Sequence, residues 1–138
     1  MPYPEQLVAP MRSDLTEVGF SELRTPEEVD KIIPESKGTL LLVINSVCGC
    51  AAGSARPAVK ASLQNSKTPE QKYTVFAGQE VDATNQARKY TLPYPPSSPS
   101  IALFKDGKLV HFIERHMIEG ATAEMIAENL QAAYNEFC

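Results

Sequence analysis

From Glu5 to Val18 the apolar residues Leu7, Val8, Met11, Leu15 and Val18 return at intervals of three and four, the spacing of one helix face, and Gly19 stands where such a helix would stop. Pro10 interrupts the pattern. Thr25-Pro26-Glu27-Glu28 carries a capping hydroxyl, a first-turn proline and a carboxylate three residues after the cap, which predicts a short helix to about Ile33. Pro34 and Gly38 end it. Thr39 to Asn45 (TLLLVIN) is then a continuous apolar, partly β-branched run, as expected of a central strand covered on both faces. Ser54 to Leu63 predicts a helix that begins at or just after Cys50 and is kinked or starts late because of Pro57. Tyr73 to Ala77 reads as a second strand, and Asp82 to Tyr90 as a helix capped by Asp82.

Leu92 to Pro99 (LPYPPSSP) is short enough to be an ordered loop between elements of one unit. Ser100 to Phe104 and Leu109 to Ile113 are apolar runs joined across Lys105-Asp106-Gly107-Lys108, and Asp-Gly predicts a tight antiparallel hairpin. Thr122 to Phe137 places Met125, Ile126, Leu130, Ala133 and Tyr134 on one face of a final amphipathic helix. The order is a βαβ unit followed by a hairpin and a helix, and a right-handed crossover makes the first two strands parallel. The expected architecture is one α/β domain over residues 1–138, with a mixed sheet of about four strands, helices on both faces and an extra N-terminal helix. That is a thioredoxin-like layout.

Composition supports an ordinary globular chain: 43% hydrophobic and 22% charged residues in 138. Thirteen basic against seventeen acidic residues give a net charge of −4, which argues against a phosphate-backbone partner such as nucleic acid. No apolar run approaches the ~20 residues of a membrane span, and the N-terminus lacks the basic and apolar segments of a secretory signal. The expected location is cytoplasmic, with no membrane partner. Oligomeric state stays open between monomer and weak dimer.

Three cysteines are too few for a disulfide framework: Cys48 and Cys50 are one residue apart, and Cys138 ends the chain. Cys48 follows the buried strand and precedes a helix start, where unpaired amides and the macrodipole favour an anion. From Gly38 through Ala55 the only ionisable side chains are these cysteines, and Arg56 is the nearest cation in sequence. A lowered thiol pKa is predicted. Lowering it from about 8.5 to about 6.5 raises the thiolate fraction at neutral pH roughly 20-fold, but falling nucleophilicity removes about 6- to 10-fold of that gain. The benefit is larger when this sulfur leaves, so the site suits taking up and passing on a thiol adduct. Gly49 is expected to supply the bend that brings the two cysteines within disulfide range, in a small ring that is easily reduced.

Around these residues the chain resembles the bacilliredoxins, a branch of the thioredoxin-like superfamily with a Cys-Gly-Cys site. The likeness runs through LVAPMRSDLTEVGF, NSVCGCAAGSARPA, VFAGQEVDAT, PPSSPSIALFKDGKLVHFIERH and the terminal Cys138. It implies a cytosolic thiol–disulfide oxidoreductase that removes bacillithiol from protein mixed disulfides. Bacillithiolated client proteins and bacillithiol itself are the implied partners, with bacillithiol as thiol co-substrate. By position, Cys48 matches the attacking cysteine and Cys50 the second one. Ser98-Pro99 matches a cis-proline loop facing the cysteines, whose Ser98 backbone would bond to a bound thiol-peptide as an added strand does. Arg56 is a candidate for orienting the carboxylates of bacillithiol's malate.

Other chemistries compete with this one. A general disulfide isomerase or reductase is the rival enzyme, and a metal-binding or thiol-sensing module the rival without turnover. Zinc would need two further ligands from His111, His116 and Cys138, so no metal site is expected. A cysteine hydrolase would need one of those histidines beside Cys48. Cys138 reads as a surface thiol, with adduct resolution or chain linkage as its alternative roles. No glycine-rich nucleotide loop or recognisable pair of carboxylates appears, so no organic cofactor is expected.

Overall fold

The computed structural model describes residues 2–138. Its helices are α1 (Glu5–Thr16), α2 (Pro26–Ile32), α3 (Arg56–Ser62), α4 (Val81–Arg88), α5 (Arg115–Ile118) and α6 (Ala123–Phe137). Its strands are β1 (Ser21–Glu22), β2 (Thr39–Asn45), β3 (Gln71–Phe76), β4 (Ser100–Lys105) and β5 (Lys108–Ile113), joined in the order β1-β3-β2-β4-β5. β2 runs parallel to β3 and antiparallel to β4, which is antiparallel to β5. The sheet therefore has five strands where about four were expected. The addition is β1, whose two residues pair with Tyr73 and Thr74 and are too few to show any alternation in sequence. The single turn α5 was also not foreseen, for the same reason.

The continuous apolar run of β2 is explained by its place at the centre of the sheet, with all seven residues buried. Leu41 and Val43 join Ile101 and Leu103 of β4 in a core that takes residues from α1, α3 and α6; Leu40, Leu42 and Ile44 join Ala102 and Phe104 in a second core under α2 and α4. Opposite faces of one strand thus serve two helical layers, as alternating side chains require.

Local signals act as their chemistry demands. Thr25 Oγ1 accepts from the Glu28 amide at 3.2 Å while the Glu28 carboxylate accepts from the Thr25 amide at 3.1 Å, a complete capping box. Asp106 and Gly107 take φ of 52° and 80°, the primed turn that a two-residue hairpin prefers. The turn is held to the start of β2, since Gly38 N donates to Asp106 Oδ1 at 2.8 Å.

Two local expectations are corrected. Asp82 does not cap α4: it lies in the first turn, and the cap position belongs to Glu80, whose carboxylate is instead held by Arg12 at 2.8 Å. Met125 sits in the first turn of α6 but is 59% exposed, outside the buried stripe of Ile126, Leu130, Ala133 and Tyr134. Among the described residues no helix is long and apolar enough to cross a membrane.

Candidate active site

β2 delivers its last residue, Asn45, into a turn that leads through Ser46 and Val47 to Cys48. Asn45 and Ser46 are both buried, and buried polar groups need partners. The Asn45 amide nitrogen donates to the Met11 carbonyl in α1 at 3.1 Å, and its oxygen accepts from the Ser46 amide at 2.8 Å. Ser46 Oγ then accepts from the Cys48 amide at 3.2 Å. The cysteine backbone is thus fixed by a chain of bonds that begins at the strand end.

The helix after Cys48 opens at Gly49 and Cys50, widens into a π turn over Ala51–Ala55 and continues as α3. Pro57 accounts for the widening: it has no N–H to offer the preceding turn and its ring crowds the carbonyl four residues back. The expected kink is therefore a wide turn placed just before the proline. Cys48 O accepts from the Ala51 and Ala52 amides at 3.1 and 3.3 Å, so the first helical turn closes on the cysteine itself.

Cys48 and Cys50 are joined as a disulfide with Cα atoms 5.5 Å apart, well inside the usual range. Both are half-buried, and Gly49 between them is exposed. Gly49 does not supply the bend through a left-handed backbone, as its φ is not positive. Helical winding brings the cysteines together without special freedom at this position. A Cβ built on Gly49 meets nothing within 4 Å, so the glycine leaves open space over the pair.

Arg56 is not at the surface. Its side chain is 4% exposed, with Nε donating to Asp14 at 3.0 Å and Nη1 donating at 2.9 Å to both Asn45 Oδ1 and the Ser46 carbonyl. A guanidinium so enclosed holds the strand exit to the cysteine helix and is not available to orient a substrate carboxylate. This corrects the substrate-binding expectation for Arg56.

Ser100 of β4 pairs with Ile44 of β2, which brings Ser98-Pro99 to the same sheet end as Cys48. The Ser98-Pro99 bond is cis, and so is Leu92-Pro93. Pro99 is buried and Ser98 half-buried. The Ser98 carbonyl is already engaged: Arg115 Nη1 donates to it at 3.0 Å, and Arg88 Nη2 reaches the neighbouring Ser97 carbonyl at 3.4 Å. Neither arginine was singled out by the sequence. Only the fold brings the end of α4 and the start of α5 to this loop.

The remaining candidates stand apart. His111 lies 2.6 Å from Asn129 on α6, His116 is largely exposed beside Glu114, and Cys138 is an exposed free thiol. Among the described residues no cluster of three or more His, Cys, Asp or Glu is arranged to hold a metal ion. Asp14, Asn45 and Ser46 were missed by sequence reasoning. A polar residue closing an otherwise apolar strand could have flagged Asn45, whereas nothing local marks Asp14.

A five-stranded mixed sheet with a cysteine pair opening the helix after its central strand, opposite a cis-proline, defines a thiol–disulfide oxidoreductase of thioredoxin fold. Solved structures share that fold at low identity. Oxidised thioredoxin O2 from Arabidopsis thaliana has a TM-score of 0.60 and 16% identity, over 86% of this chain and 96% of that one. Thioredoxin from Fasciola hepatica has a TM-score of 0.56 and 20% identity, over 86% and 100%. The family model described as disulphide isomerase matches residues 3–138. A bacilliredoxin of Cytophaga hutchinsonii is 61% identical, covering 97% of this chain and 98% of its own. One of Halalkalibacterium halodurans is 58% identical, over 99% and 94%. The chain belongs to the disulphide isomerase family and, within it, to the bacilliredoxins.

Proposed function

We propose that the protein removes bacillithiol from mixed disulfides on other proteins, with Cys48 as the attacking sulfur. The observation that carries this is the position of Cys48 at the first turn of a helix with Cys50 in disulfide reach, together with the names of its full-length relatives. The Cys48 thiolate attacks the bacillithiol sulfur of the client. A new Cys48–bacillithiol disulfide forms, the old mixed disulfide breaks, and the client sulfur leaves as a thiolate that takes up a proton. The Cys50 thiolate then attacks the Cys48 sulfur and expels bacillithiol, or a second bacillithiol attacks the sulfur of the bound one, so that Cys48 leaves as a thiolate and bacillithiol disulfide is released. By the Cys50 route the product is the Cys48–Cys50 disulfide, which an external thiol reduces. The first-turn amides favour the thiolate both as it attacks and as it leaves.

The reading requires no organic cofactor and no metal, and assigns the protein to the cytoplasm with bacillithiolated proteins as partners. Mass spectrometry after mixing reduced protein with a bacillithiolated client is expected to show the adduct on Cys48, and none after Cys48→Ser. Turnover retained in that variant would remove the assignment. The family description favours a second reading, general disulfide isomerisation. Rescue of scrambled ribonuclease faster than bacillithiol removal would make that the main activity.

A further inference from the structure

We propose that Arg88 and Arg115 form a carboxylate-recognising subsite for the small-thiol half of the mixed disulfide, beside the cis-proline loop. The inference deepens the reading above and rests on it. The two guanidinium groups reach consecutive carbonyls, Arg88 that of Ser97 and Arg115 that of Ser98, immediately before cis-Pro99. They arrive from opposite sides of the sheet. α4 packs in the core under α2, and α5 adds Ile118 to the core that holds α3 and α6.

Arg115 also links the loop to the cysteine helix. The short α5 that it opens leads to Ala121, whose carbonyl accepts from Ser54 Oγ at 3.1 Å within the π turn that follows Cys50. A small thiol bound at Cys48 with its carboxylates toward Ser97 and Ser98 would thus meet guanidinium donors on two elements.

Both side chains have donors to spare. Arg115 uses Nε for Glu119 at 2.6 Å and Nη1 for Ser98, and the side chain is 43% exposed. Arg88 has no carboxylate within salt-bridge distance among the described residues, and its buried Nε has no hydrogen-bond partner. Burial alone pulls its pKa below the usual value for arginine. A partly desolvated cation without a counter-ion is costly, and an incoming carboxylate offsets that cost. Segments 91–100 and 45–55 contain no acidic residue; Glu119 is paired with Arg115, Glu114 lies beside His116, and Asp30 is held by Gln86 and Tyr90 on either side of Arg88. A planar guanidinium fork suits a carboxylate, and a thiol carrying malate offers two. Arg56, by contrast, is enclosed, with its guanidinium engaged by Asp14, Asn45 and Ser46.

The test compares a client carrying bacillithiol with the same client carrying the dimethyl malate ester of bacillithiol, so that the sulfur is unchanged and only the carboxylate charges are lost. Wild-type protein is expected to favour the acid form about tenfold in kcat/KM, which is about 1.4 kcal/mol. Arg88→Gln and Arg115→Gln are each expected to bring that ratio toward one, and Arg115→Lys to keep part of it. A variant that folds poorly slows both clients alike and leaves the ratio intact, so the ratio reads recognition. An unchanged ratio in both Gln variants, or no preference in the wild type, overturns the subsite. If the wild type takes neither small thiol onto Cys48, the underlying reading falls and the subsite falls with it.

Discussion

The Arg56 guanidinium donates to the Asn45 side-chain oxygen at 2.9 Å, fastening the helix that bears Cys50 to the last residue of the strand that leads to Cys48. The same nitrogen holds the Ser46 carbonyl, and Asp14 of α1 balances the charge. Arg56→Met keeps much of the volume and removes all three bonds, leaving the Ser46 carbonyl without this donor. A loss of about 2–4 kcal/mol in urea unfolding of the oxidised protein is expected. Arg56→Lys recovers only part, because an ammonium cannot reproduce the fork. If the residue positions the turn and does not bind substrate, the variant slows bacillithiol and its ester alike.

Gly49 and Gly107 give opposite results for one substitution. Gly49 has a helical backbone with open space where a Cβ would stand, so Gly49→Ala should leave the oxidised protein equally stable or raise stability by up to about 1 kcal/mol. At Gly107 φ is 80° and an added Cβ would lie 2.6 Å from the Pro34 carbonyl oxygen. That oxygen belongs to backbone that cannot swing aside, and Gly107→Ala is expected to cost about 2–4 kcal/mol. Thermal unfolding of both variants under oxidising conditions checks the contrast.

Tyr134 is fully buried between α3 and α6, and its hydroxyl lies 2.9 Å from Ser62 Oγ. Burial pushes its phenol pKa upward, against the Ser62 bond and with the charge of Cys138. A raised pKa in the folded state means that its stabilisation is complete below about pH 10, the unfolded value, and is lost as pH rises toward the folded one. Stability should therefore fall above about pH 10 by up to about 1.4 kcal/mol per pH unit from this group. Tyr134→Phe should cost about 1 kcal/mol at neutral pH and remove that part of the alkaline fall. Urea midpoints measured between neutral pH and pH 11 test both.

The thiol of reduced Cys48 is expected to titrate below about 8.5, followed by thiolate absorbance near 240 nm with Cys50 replaced by Ser. The cause lies in the first-turn amides and in the lack of acidic residues in the turn. Introducing an acid there with Ala52→Glu, at an exposed position, should raise the value again. A Cys48 that titrates no lower than an ordinary thiol would contradict this account.

The features legible in the sequence were those set by neighbours a few residues away. Thr25 and Glu28 form their capping box, Asp106-Gly107 turns the hairpin, and Cys48 meets the start of a helix because short-range bonding decides each of these. Asp82 was misplaced by two positions because Glu80, which takes the cap position, is drawn into the Arg12 cluster, and that attraction crosses 68 residues. Arg56 was assigned to substrate carboxylates for a related reason. Its helical phase is reset by the π turn before it, and its acid, Asp14, lies 42 residues earlier.

By itself the sequence determined the chemistry at hand: two thiols one residue apart, no acid among their neighbours, and apolar runs that must form a buried sheet. Only the tertiary structure decided which charges face inward. Arg56 is enclosed at the strand exit, while Arg88 and Arg115 meet at Ser97 and Ser98. The physical reason is that periodicity records whether a side chain shuns water, whereas the partner of a charge depends on which distant segment the packed sheet brings beside it.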